Sequence, residues 1–164
     1  MEVSLKPIDS GSRHVLENLF TYYVYDMSEF IGLDPSSNGL YEFKPKNLND
    51  YWSDSNHIPY FIYVDGLLAG FVLIQKYPTN LELFDIDQFF VLRKFKGNGV
   101  GKKAFGKVLN NHPGKWQVRV LKENTIALSF WLSAVRKAVG ANFQHMLDID
   151  VDLEMHFIHF SNAS

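Results

Sequence analysis

A chain of 164 residues, 46% hydrophobic and with a formal charge of −2, is the size of a single compact domain spanning residues 1–164 with an ordinary core. That charge argues against a nucleic-acid binder driven by overall charge, and the lack of cysteine excludes disulfides, thiolate metal sites and a cysteine nucleophile. No apolar run approaches the roughly 20 residues that span a bilayer, so the expectation is a soluble cytoplasmic protein with no membrane partner.

Residues 3–8 alternate as a first strand, and Asp9-Ser10-Gly11-Ser12 forms a turn with several candidate helix caps. Val15, Leu16, Leu19, Phe20, Tyr23, Val24 and Met27 then recur on one helical face. Residues 28–46, with Gly32, Pro35, Gly39 and Pro45, read as a long loop, and residues 47–52 as a short helix. Two strands, 60–64 and 68–77, are joined at Asp65-Gly66, a strong hairpin signal. A central strand, residues 81–92, runs into a glycine-rich turn and a helix ending near Asn110. A strand over 116–121 and a helix over 124–138, closed by Gly140, follow; 143–149 and 153–160 form a terminal pair of strands. The expected class is mixed α+β: antiparallel at the start and parallel where helices cross over.

The turn after the central strand carries the chemistry. Gly97, Gly99 and Gly101 let the backbone bend and aim several N–H groups at one ligand, and the next helix points its positive dipole end there. Arg93, Lys94, Lys96, Lys102 and Lys103 add cationic side chains. This is a polyanion site, and a pyrophosphate is the anion it suits. A P-loop fails, because Lys96 and Lys103 stand where that motif needs Gly and Ser or Thr. A dinucleotide fingerprint, Gly99-x-Gly101-x-x-Ala104 with Glu123 downstream, has the spacing. It lacks the context, since six residues separate Leu92 from Gly99 and about ninety largely antiparallel residues come first.

The run from Val91 through Lys96-Gly97-Asn98-Gly99-Val100-Gly101 resembles the acyl-coenzyme A signature of the GNAT superfamily of N-acetyltransferases, with Lys96 in place of the usual Arg or Gln. Downstream, Asn124, Ala127, Phe130 and Trp131 match the family's Asn-x-x-Ala-x-x-Phe-Tyr helix start, with Trp for the common Tyr. The resemblance implies a GNAT fold with a central mixed sheet of about six to seven strands and about four helices. It also implies that the central strand splays from its parallel neighbour. Acetyl-coenzyme A would lie in that gap, with Phe90 and Val91 pairing with the pantetheine arm. Lys96 to Lys102 would cradle the pyrophosphate, with Asn124 and Trp131 beside the cofactor. The reaction implied is acetyl transfer to a primary amine of a small molecule or peptide, by direct attack in a ternary complex. The protein would act as a monomer or homodimer. A non-catalytic acyl-coenzyme A-binding module is the alternative.

An ammonium titrating near 10 must lose a proton before it attacks, and a carboxylate can take it. Asp85 and Asp87 lie two apart on the central strand, on one face if no bulge separates them, and two such carboxylates raise one pKa. Either is a candidate base. Trp131 cannot protonate a leaving thiolate, because indole N–H is far too weak an acid. No metal is expected: Asp148-x-Asp150-x-Asp152 lacks the glycine and glutamate of a calcium loop. Tyr22, Tyr23, Tyr25 and Phe30 are mostly core by pattern, with some placed to line the acceptor site under the GNAT resemblance.

Overall fold

The computed structural model describes residues 1–42 and 48–162. In chain order these form β1 (Val3–Pro7), a 3-10 turn (Ser10–Ser12), α1 (Arg13–Ile31), the single-turn α2 (Asp50–Ser53), β2 (His57–Val64) and β3 (Leu67–Tyr77). Then come β4 (Asn80–Val91), a 3-10 turn (Arg93–Phe95), α3 (Val100–Asn111), β5 (Lys115–Leu121), α4 (Thr125–Val139), β6 (Phe143–Asp150) and β7 (Leu153–Ser161). The architecture is mixed α+β, with seven strands in one sheet ordered β1-β2-β3-β4-β5-β7-β6.

The sheet separates two apolar layers. On one face Phe105 and Val108 of α3, with Trp131, Ala134 and Val135 of α4, pack over Val72, Ile74, Ile86, Trp116, Val118 and Ile158. On the other face Leu16, Leu19, Phe20 and Val24 of α1 and Tyr51 of α2 cover Phe61, Phe71, Leu73 and Phe90. The strands are rich in branched and aromatic residues because both faces are buried, and burial of each such side chain stabilises the fold by about 1.5–3 kcal/mol.

Two features differ from the sequence expectation. The first helix does not stop before Ser28 but continues to Ile31, and ends where Gly32 adopts φ +65°. The N–H groups of Gly32 and Leu33 both reach the Ser28 carbonyl, so the glycine is the stop signal and the expected loop starts four residues late. Residues 43–47, the end of that loop and the first residue of the expected short helix, lie outside the described residues. The second difference is in the sheet. β7 returns between β5 and β6 and pairs antiparallel with both, so the α4 crossover creates no parallel pair. The parallel pair is β4 with β5, linked through α3.

That pair is short. Leu83, Phe84, Asp85 and Ile86 face Lys115, Trp116, Gln117 and Val118, and there the ladder ends. Beyond Ile86, β4 stays with β3 as far as Val91, while β5 stays with β7 as far as Leu121. The two central strands therefore diverge from Asp87 and Arg119 onward and leave a notch between them. Where β4 leaves β5, its register with β3 also slips, from Ile74 opposite Ile86 to Leu73 opposite Gln88. Asp87 is the extra residue of this bulge, which bends a strand and re-aims its side chains. Among the described residues, no helix is long and apolar enough to cross a membrane.

Candidate active site

The glycine turn lies at one mouth of the notch. Gly97 and Gly99 sit at φ +89° and +77°, a left-handed backbone that costs an L side chain roughly 1–2 kcal/mol. Gly99 is the N-cap of α3, with no side-chain cap, so the first N–H groups of the helix remain for a ligand. Gly101 has a different reason to be glycine. A Cβ there would come within 2.9 Å of the tip of the Phe130 ring, which would have to shift to admit it.

A cleft of about 560 Å³ opens on this turn, lined by Arg93, Lys96, Gly97, Gly99, Val100, Gly101 and Lys102 together with Phe89, Phe90, Val91, Asn124 and Trp131. Of the residues expected to hold the cofactor, Asn98 alone does not line it. Lys102 donates to Ser133 Oγ (2.6 Å), which draws its ammonium against α4. Arg93 Nη2 and Lys96 Nζ meet Asp26 of α1 at 3.0 and 3.9 Å. Of the five cations in the turn's sequence, Lys94 and Lys103 do not line the cleft. Asn124 caps α4, its Oδ1 accepting from Ala127 N–H at 3.1 Å. Trp131 is 6% exposed and packed edge-on against Phe89, Phe105 and Phe130. The residue donates no hydrogen bond among the described residues and belongs as much to the core as to the cleft.

The notch itself continues this cleft inward. Tyr23, Met27, Phe89, Asn124, Ala127 and Trp131 line both, and beyond them Asp87, Gln88, Arg119 and Asp150 line both the notch and a third cavity under α2. Three adjoining cavities therefore follow one another from the glycine turn, past the parted strands, to the space under α2.

Asp87 lines the notch and Asp85 lies buried beside it, and their environments differ. Phe84 and Ile86 turn into the α3–α4 layer, which leaves both aspartates on the α1–α2 face. Asp85 is fully buried and accepts four hydrogen bonds: Arg119 Nε to Oδ1 (2.9 Å), Arg119 Nη2 to Oδ2 (2.7 Å), Gln117 Nε2 to Oδ1 (3.0 Å) and Gln75 Nε2 to Oδ2 (2.9 Å). Both oxygens are saturated, so no lone pair is left for a substrate proton. Asp87 accepts one hydrogen bond, from the Tyr51 hydroxyl to Oδ2 (2.6 Å), while Oδ1 lies 4.0 Å from Arg119 Nη2. Burial raises the Asp87 pKa above its ordinary value, and the Asp85 charge adds to this. The Tyr51 hydrogen bond, Arg119 and His57 pull the other way without prevailing.

Sequence reasoning missed the partners of these carboxylates. Arg119 also holds Asp150 Oδ2 at 2.5 Å and lies over the Tyr77 ring, whose hydroxyl donates to Asp150 Oδ1 at 3.3 Å. Burial works against the guanidinium charge, but the hydrogen bonds and charges of Asp85 and Asp150 outweigh it and raise the Arg119 pKa. A signal was present: Gln117 and Arg119, at i, i+2, are the two polar residues of the strand expected over 116–121, the same spacing as Asp85 and Asp87 on its neighbour. Tyr23, read as core, has its ring among Phe20, Phe71 and Phe90, but its hydroxyl donates to Gln88 Oε1 in the notch. Among the described residues no cluster of His, Asp or Glu is placed to hold a metal ion.

Known structures share this fold. The chain aligns with an acetyltransferase from Thermus thermophilus at TM-score 0.72 and 14% identity, covering 98% of this chain and 97% of that one. It aligns with a Bacillus subtilis acetyltransferase in complex with CoA at TM-score 0.61 and 12% identity, covering 98% and 99%. A spermidine N-acetyltransferase chimera from Vibrio cholerae and hSSAT aligns at TM-score 0.61 and 13% identity, covering 99% and 96%. No curated protein matches the sequence. The sequence model of the acetyltransferase (GNAT) family matches residues 22–133, well over half of the chain, and with the parted central strands and the glycine turn this assigns the protein to the GNAT family of acyltransferases.

Proposed function

We propose that the chain is a one-domain N-acetyltransferase. It carries the acetyl group of acetyl-coenzyme A to a primary amine of a small molecule or peptide, within a ternary complex. The observation that carries this reading is the series of adjoining cavities through the notch, with the glycine turn at one end and the carboxylate of Asp87, which accepts one hydrogen bond, in the shared lining further in.

In this reading the N–H groups at the start of α3, with Lys96 and Lys102, hold the diphosphate, and the unpaired edge of β4 near Phe90 and Val91 hydrogen-bonds the pantetheine arm. The thioester then lies between the strands. The amine enters from the α2 side, where the cavity is lined by Asp87 and Asp150 among the aromatic rings of Phe20, Tyr51 and Tyr77. Arg119 is committed to Asp85 and Asp150, so this chamber favours a cation. Asp87 takes the ammonium proton. Its raised pKa suits the task, because a base nearer the operating pH gains more from proton transfer. The neutral amine attacks the carbonyl carbon, the C–S bond breaks, and its electron pair stays on sulfur. Asp85 is a positioning residue that holds Arg119 in place.

The test is thiol release from acetyl-coenzyme A by purified protein across a library of amines. Turnover with at least one amine is the expected result. Tight coenzyme A binding with no amine-dependent release would make the protein an acyl-coenzyme A-binding module and end the enzyme reading.

A further inference from the structure

Resting on that reading, we propose that Tyr23 of α1 donates the hydrogen bond that stabilises the sulfur of coenzyme A as it leaves. A thiolate expelled into a dry cleft carries a full charge, and a donor aimed at it lowers the barrier to its departure. The donor has to stand where the cofactor cleft meets the notch. Six side chains line both spaces: Tyr23, Met27, Phe89, Asn124, Ala127 and Trp131. Met27, Phe89 and Ala127 have no donor, and Asn124, anchored to the first turn of α4 through its Oδ1, offers an amide N–H and no hydroxyl. The Trp131 ring is enclosed by three phenyl rings. Tyr23 contributes the hydroxyl.

The local packing prepares that hydroxyl. Its ring is fixed edge-on against Phe20 and Phe71 and tilted against Phe90, and the O–H reaches Gln88 at the start of the divergence. A hydroxyl is a rotor with one proton, and an anionic acceptor outcompetes a neutral amide oxygen. As charge grows on sulfur, the O–H swings from Gln88 to the thiolate. Burial, and then the nearby Asp87 charge, raise the phenol pKa far above its ordinary value. Tyr23 therefore keeps its proton and acts as a hydrogen-bond donor; the amine's second proton ends on sulfur, giving the free thiol.

Tyr23→Phe keeps the ring packing but removes the O–H that Gln88 accepts, so the melting temperature should fall only slightly. Its kcat should fall about 10²-fold, with the KM for acetyl-coenzyme A changed little. A second readout needs no turnover: the thiol of bound coenzyme A, followed by ultraviolet absorbance, should titrate below that of free coenzyme A in the wild type and higher in Tyr23→Phe. An unchanged kcat, or a bound thiol that titrates identically in both proteins, overturns the role of Tyr23. A wild-type protein that transfers to no amine overturns the enzyme reading instead, and the two failures are thereby distinct.

Discussion

Arg119 grips Asp85 in a bidentate pair at 2.9 and 2.7 Å, across the one pair of parallel strands and one residue past the last rung of their ladder. The pair sits at the apex of the notch. It ties β4 to β5 where backbone pairing stops, and it places a committed cation beside the aspartate that remains partly free.

Removing one partner of a buried ion pair leaves the other charge uncompensated. Asp85→Ala should therefore destabilise the fold by about 3–5 kcal/mol in urea denaturation. Asp85→Asn is gentler and more informative. It frees Arg119 to turn toward Asp87, 4.0 Å away, and removes the negative charge that helps raise the Asp87 pKa. The acid limb of kcat/KM against pH should move to lower pH. An unmoved limb would remove Asp85 and Arg119 from control of the base.

Asp87→Asn should lower kcat/KM about 10²–10⁴-fold, the range for loss of a general base. In the wild type the rate should fall on acidification through a pKa above the ordinary 3.8, because the protonated carboxyl cannot accept the amine proton. Stability should move the opposite way. An aspartate whose folded pKa is raised binds its proton more tightly in the native state, so ionising it costs stability as pH rises from 3.8 through the raised value. Above that value the cost persists. The amide of the Asp87→Asn variant can still accept from Tyr51 and carries no charge, so the variant should melt higher than wild type at neutral pH. The gain should vanish below pH 3.8.

Two glycines where the turn after β4 meets α3 should fail differently. Gly99→Ala places a side chain at φ +77°, with nothing near its Cβ, and should cost about 1–2 kcal/mol through backbone strain alone. Gly101→Ala drives a Cβ to 2.9 Å from the tip of the Phe130 ring, which must move, and should cost about 1–3 kcal/mol. Coenzyme A affinity measured by calorimetry should drop in both variants. A drop in neither would separate the turn from the diphosphate.

Asn124→Ala should cost about 0.5–2 kcal/mol through loss of the cap on Ala127 N–H. Thermal melts without ligand check this. A further loss of coenzyme A affinity, beyond what the melt explains, would show that the side chain also touches the cofactor.

The glycine-rich turn was legible because it is local. Gly97, Gly99, Gly101 and the lysines are contiguous, and a strand–turn–helix unit places them together whatever surrounds it. The helix faces, the Asp65-Gly66 hairpin and the seven strands were readable for the same reason, since period and turn chemistry act over a few residues. The end of α1 was misread because a left-handed Gly32, not the first loss of period, stops it.

What the sequence by itself determined was thus the set of elements and the glycine-rich turn between β4 and α3. Tertiary structure decided which carboxylate is free. Asp85 and Asp87 look alike in the chain, and only the register of β4 against β5 brings Gln117 and Arg119, the latter 34 residues away, onto Asp85. Only the return of β7 between β5 and β6 brings Asp150 to the other side of the same guanidinium. Hydrogen bonds between distant strands depend on which edges pair and where a bulge slips them. These are properties of the assembled sheet, and no single segment carries them.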